Sequence, residues 1–123
     1  MAMNYFLIRD MCRDGDHEYY DHIPVKTKMS EQDMIDNEHF WQERLLAWQF
    51  GWIEQDDFDD WWADLRIVRI DSWRSISAED YEVLEDHIGG WRLEEIILDT
   101  EGDIKPNDKT WKLYNESKYV EVL

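Results

Sequence analysis

Asn4-Tyr5-Phe6-Leu7-Ile8-Arg9-Asp10-Met11-Cys12 leads through Arg13-Asp14-Gly15-Asp16 into a second run, His17 to Thr27. Aromatic and β-branched residues cluster in the first run, which marks a strand. Asp14-Gly15 is a hairpin turn signal, because glycine accepts a positive φ without steric cost. On the returning strand Tyr19, Ile23 and Val25 alternate onto one face. Pro24 has no N–H for a ladder, so this strand is expected at a sheet edge or bent at that point. The chain thus opens as an antiparallel hairpin whose apolar face has to be covered by elements later in the chain.

Ser30-Glu31-Gln32-Asp33 is a helix start, with serine as N-cap and acids in the first turn. The helix is expected to run to about Phe50 and stop at Gly51. Met34, Trp41, Leu45, Trp48 and Trp52 recur at helical spacing, which reads as a core-facing stripe. Leu65 to Ile70 reads as a strand, expected in the centre of the sheet. Ser77-Ala78-Glu79-Asp80 opens a second helix with Tyr81, Leu84 and Ile88 along its apolar edge, and Gly89-Gly90 ends it. Leu93 to Leu98 reads as a further strand. Thr100-Glu101-Gly102-Asp103 reads as a turn and Pro106-Asn107-Asp108 as a loop. Trp111 to Tyr114 and Tyr119 to Leu123 read as a closing hairpin.

This order predicts an α+β fold: a largely antiparallel β-sheet with about two helices packed on one face. The 123 residues carry no internal repeat and no low-complexity linker, so one domain over residues 1–123 is expected. Hydrophobic residues make up 43% and Trp numbers eight, which separates the chain from a disordered acidic tail. Cys12 is the one cysteine, so an internal disulfide is impossible. Met1-Ala2-Met3-Asn4-Tyr5 lacks the basic start of a signal peptide. No apolar run approaches the roughly 18 residues that span a bilayer. A cytoplasmic location is the expectation.

Charge says most about function. Thirty Asp and Glu stand against thirteen Lys and Arg, a net charge of −17. Such a field repels nucleic acid and anionic membranes, and draws in basic surfaces over a screening length of about 8 Å. Direct DNA or RNA binding needs basic stripes that the sequence does not display.

Motifs for catalysis or metal binding are weak. Asp14, Asp16 and Glu18 alternate, as do Asp99, Glu101 and Asp103, but neither set matches a calcium loop with glycine sixth and glutamate twelfth. His17, His22, His39 and His87 show no zinc spacing, and His17 and His22 fall on opposite faces of their strand. Cys12 and His17 flank the turn, yet a small buried thiol is the commoner role for such a cysteine. There is no phosphate-binding glycine loop. The reading is a protein without cofactor or metal that acts by binding and not as an enzyme.

Three acidic patches stand out. One runs from Asp14 to Asp21. A second comprises Glu54, Asp56, Asp57, Phe58, Asp59, Asp60, Trp61 and Trp62, with Asp64 beyond, on either a loop or a short helix. The third comprises Glu79, Asp80, Glu82, Glu85 and Asp86 on the second helix. Carboxylates on a rigid scaffold can imitate the charge spacing of a phosphate backbone, and Phe58, Trp61 and Trp62 can anchor a partner. In composition and length, over the whole chain, the sequence resembles the acidic inhibitors of phages and mobile elements, the anti-CRISPR and anti-restriction DNA mimics. That resemblance implies a partner with a basic, nucleic-acid-binding surface, blocked sterically and electrostatically. The second and third patches are the candidate partner-binding residues. The alternative is a small acidic adaptor whose charge serves solubility; acids spread evenly over the folded surface would be its mark.

Overall fold

The computed structural model describes residues 3–51 and 66–100. The elements run β1 (Asn4–Asp14), β2 (His17–Thr27), α1 (Glu31–Asp36), α2 (Glu38–Phe50), β3 (Arg66–Ser75), α3 (Ala78–Ile88), β4 (Trp91–Arg92) and α4 (Leu93–Asp99). The fold is α+β. Its four-stranded sheet has the order β3-β1-β2-β4. The two long pairings, β1 with β2 and β1 with β3, are antiparallel, and the short β2–β4 pairing is parallel.

The opening hairpin forms as its sequence dictates. Asp14 pairs with His17, so Gly15 and Asp16 are the two turn residues, and Gly15 has φ 63°. β4 joins β2 at Val25, one residue after Pro24. At Pro24 itself β2 has only β1 as a neighbour among the described residues, which suits a residue with no N–H to donate.

Along β1, Phe6 and Ile8 enter the core with Ile23 and Val25 of β2. Met34, Trp41 and Leu45 cover them from α1 and α2, each fully buried. The expected single helix is two, divided at Asn37 (φ −116°, ψ 25°). The Asn37 amide donates to the Asp33 carbonyl at 2.8 Å, the local side-chain bond by which asparagine competes with helix continuation. The break leaves Met34, Trp41, Leu45 and Trp48 of the stripe against the core, and Trp52 lies outside the described residues. The Trp41 indole N–H donates to the Met34 carbonyl at 2.8 Å, which gives a buried Trp the partner it requires.

Two further expectations fail. Residues 93–98 are helix α4 and not a strand. Leu93, Ile96 and Ile97 are its buried residues together with Glu94, and a 93/96/97 spacing is helical. β3 is not central: it extends to Ser75 and pairs with β1 alone among the described residues, at the end of the strand order. The turn at 100–103, the loop at 106–108 and the closing hairpin at 111–123 lie outside the described residues, apart from Thr100.

A buried polar knot ties α4 to the sheet. The fully buried Glu94 carboxylate accepts from the Thr27 hydroxyl, from the Lys28 N–H at 2.9 Å and from Arg92 Nε at 3.1 Å. Such donors offset the cost of burying a charged carboxylate.

Candidate partner-binding face

The third acidic patch lies on α3, a helix with clear start and stop signals. The Ser77 hydroxyl accepts from the Asp80 N–H at 3.1 Å, and Gly89, with φ 90°, closes the far end. Tyr81 fastens α3 to the sheet. It is 3% exposed, and its ring stands 5.0 Å from that of Tyr5. Tyr5 alternates with Phe6 along β1, so α3 sits on the sheet face away from the core cluster, and the four helices among the described residues flank the sheet on both faces where about two on one face were expected. Burial, and then the bond from its hydroxyl to Glu85, push the Tyr81 pKa up.

With Tyr81 turned inward, Glu79, Asp80, Glu82, Glu85 and Asp86 are all exposed. Seven helical rises separate the first from the last, about 10 Å. Five carboxylates over that length approach the axial charge density of duplex DNA, one charge per about 1.7 Å. No Lys or Arg lies between Ser77 and Trp91. None of the ion pairs among the described residues involves these acids.

The arrangement is costly for the helix. Glu79–Glu82, Glu82–Glu85 and Glu82–Asp86 are like-charge pairs at i,i+3 or i,i+4, each unfavourable by roughly 0.2–0.5 kcal/mol. Glu85 and Asp86 also sit near the negative end of the helix dipole. Exposed Val83 (57%) adds an apolar contact amid the charge.

No family model, no curated protein and no solved structure matches this chain.

The other patches stand differently. Glu54, Asp56, Asp57, Phe58, Asp59, Asp60, Trp61 and Trp62 lie outside the described residues, as does Asp64. The hairpin patch is mixed in sign: Glu18 pairs across the ladder with Arg13, and Arg9 stacks on Tyr20 at 4.1 Å. Tyr20 donates to Glu18 at 3.1 Å, and that bond raises the Tyr20 pKa. The hairpin tip and the Tyr5 end of β1 are nine residues apart, about 30 Å along the strand. The two patches do not merge.

Cys12 pairs with Tyr19 across the hairpin, while His17 pairs with Asp14, so Cys12 and His17 are diagonal neighbours and not directly opposed. No group of three or more His, Cys, Asp or Glu is placed to hold a metal among the described residues. No helix among them is long and apolar enough to cross a membrane.

Sequence reading missed Asp10. It is fully buried on the core face, opposite Asp21 in the ladder. Burial, and then the Asp21 charge, raise its pKa from 3.8 to about 6. The even-numbered positions of β1 carry Phe6, Ile8 and Asp10 in turn, so strand alternation alone points Asp10 inward.

Proposed function

We propose that this protein is an inhibitor that binds a partner protein at a basic, nucleic-acid-binding surface, with α3 standing in for a polyanion. The observation that carries the reading is the row of five carboxylates from Glu79 to Asp86, exposed and undiluted by any Lys or Arg on the same helix. Helix stability alone would favour acids interleaved with bases, since i,i+4 pairs of opposite charge stabilise a helix and like pairs weaken it. A cost concentrated on one face is consistent with selection for binding. The face supplies long-range attraction and fast encounter. Desolvated anchors supply affinity, with Val83 one candidate and Phe58, Trp61 and Trp62 the others. The action is occlusion, without bond-making chemistry.

The experiment is affinity capture on the immobilised chain at about 50 mM and 500 mM salt. Captured proteins are identified by mass spectrometry, and elution is repeated with a double-stranded DNA oligonucleotide. A nucleic-acid-binding protein retained at low salt and displaced by DNA is the expected result. The variant Glu82→Lys, Glu85→Lys, Asp86→Lys should lose it while remaining folded. A second variant, with Asp56, Asp57, Asp59 and Asp60 replaced by Lys, reports on the other candidate patch. Capture that ignores salt, DNA and both charge reversals would overturn the proposal.

A further inference from the structure

Arg9, His22, Ser72 and Arg74 meet on the sheet face away from the core. They line a depression of about 210 Å³ together with Leu7 and with Trp73, whose ring itself turns to the core against Phe6 and Trp41. A β-bulge makes this meeting possible. The β1–β3 register shifts between Arg9 and Asp10, so Ser72 pairs with Arg9, Ile70 pairs with Asp10, and Asp71 is left over. Bulges re-aim side chains in this way. Arg9 therefore has His22 on one side and Ser72 on the other, in a row across three strands, and Arg74 opposite Leu7 opens the next row. Neighbouring strands lie about 4.8 Å apart, so the row is about 10 Å wide.

Positive charge is in excess there. Asp71 pairs with Arg9, at 3.5 Å from its Nε, and is shared with Arg69, which lies opposite Met11 outside the depression, at 3.9 Å from its Nη2. Arg9 Nε is buried and makes no hydrogen bond among the described residues, while the Tyr20 ring beneath its guanidinium holds it in position. Arg74 is exposed and enters no ion pair among the described residues. In a chain of net charge −17, this row runs against the composition.

We propose that the depression binds the phosphate group of a small phosphate monoester, with Arg9, Arg74, Ser72 and His22 as its donors. The planar guanidinium fork matches phosphate oxygens two at a time, and a hydroxyl and an imidazole N–H complete the set. Pockets for whole drug-sized ligands occupy about 300–1,000 Å³; this smaller one fits the charged end of a ligand. A long polyanion is excluded by the field of the whole chain and by α3 on the same face. A small dianion meets mainly the local arginines, because the more distant carboxylates are screened. The site goes beyond the partner-binding reading, since none of its donors lies on α3.

The test is a titration of the ¹⁵N-labelled full chain at constant ionic strength with inorganic phosphate, adenosine monophosphate, O-phosphoserine and, separately, sulfate. Saturable shifts confined to the amides around Leu7–Asp10, His22 and Ser72–Ser75 are expected. Arg74→Ala should weaken binding at least about tenfold, the size of one lost charge-assisted hydrogen bond, with the melting temperature unchanged. Ser72→Ala should weaken it less. Tighter binding of the nucleotide than of phosphate identifies a nucleotide ligand; tighter binding of phosphoserine identifies a phosphorylated amino acid; equal affinities identify phosphate itself. Absence of saturation, or indifference to Arg74→Ala, overturns the proposal. Equal saturation by sulfate means an adventitious ion only and overturns it too.

Discussion

Asp10 of β1 and Asp21 of β2 face each other across the antiparallel ladder, yet Asp10 is fully buried while Asp21 is exposed and accepts from the Gln49 amide at 3.3 Å. Asp10 is therefore a carboxylate that resists ionisation, with a pKa raised to about 6. Because the folded value lies above the unfolded one, the folded state holds the proton longer as pH rises. Below the unfolded pKa the group costs nothing. The penalty grows between about pH 4 and 6 and is complete above, reaching at most about 3 kcal/mol.

Asp10→Asn should therefore stabilise the protein at pH 7 by roughly 1–3 kcal/mol, with no gain at pH 4. Urea midpoints for both proteins at the two pH values read this directly. An equal effect at both would show that Asp10 is ionised throughout or protonated throughout.

Glu94 should be the least replaceable acid among the described residues. It is fully buried and accepts from Thr27, Lys28 and Arg92. Removing the charge beside the buried Arg92 guanidinium leaves that cation without its 3.1 Å acceptor. Glu94→Ala should cost about 3–5 kcal/mol and Glu94→Gln less. Denaturation midpoints with unchanged m-values would show that the loss is one of stability; a fall of less than about 1 kcal/mol for Glu94→Ala would contradict the network's importance.

Gly90 is needed for space. A Cβ there would lie 2.5 Å from the Tyr81 hydroxyl and 3.2 Å from Glu85 Cγ. Tyr81 is buried against Tyr5 and cannot yield without loosening α3 from the sheet. Gly90→Ala should destabilise by about 1–3 kcal/mol. It should also change the near-ultraviolet circular dichroism of the tyrosines. An unchanged melting temperature would mean that α3 is free to shift.

Much of the architecture is local and was legible in the residues. The hairpin followed from Asp14-Gly15 between two β-rich runs, and α3 from Ser77, the acids behind it and Gly89. The stripe Met34-Trp41-Leu45 identified the core face of α1 and α2 even though Asn37 divides the helix. Residues 93–98 misled because leucine and isoleucine suit either element; only the spacing of Leu93, Ile96 and Ile97 told against a strand. The acids of α3 were readable as a solvent face. That they enter no ion pair among the described residues, and that the hairpin acids have arginines across the ladder, depended on which strands lie side by side.

Charge and periodicity are properties of the chain, so the sequence by itself determined that this protein is acidic, has an α+β fold and carries a carboxylate row on one helix. The arginine cluster was decided by tertiary structure. Arg69 and Arg74 are five residues apart, which strand alternation would put on opposite faces. The bulge at Asp71 adds one residue to β3, returns Arg74 to the side of Arg69, and sets Ser72 beside Arg9. A bulge arises from how two strands register against each other, and no single strand carries that information.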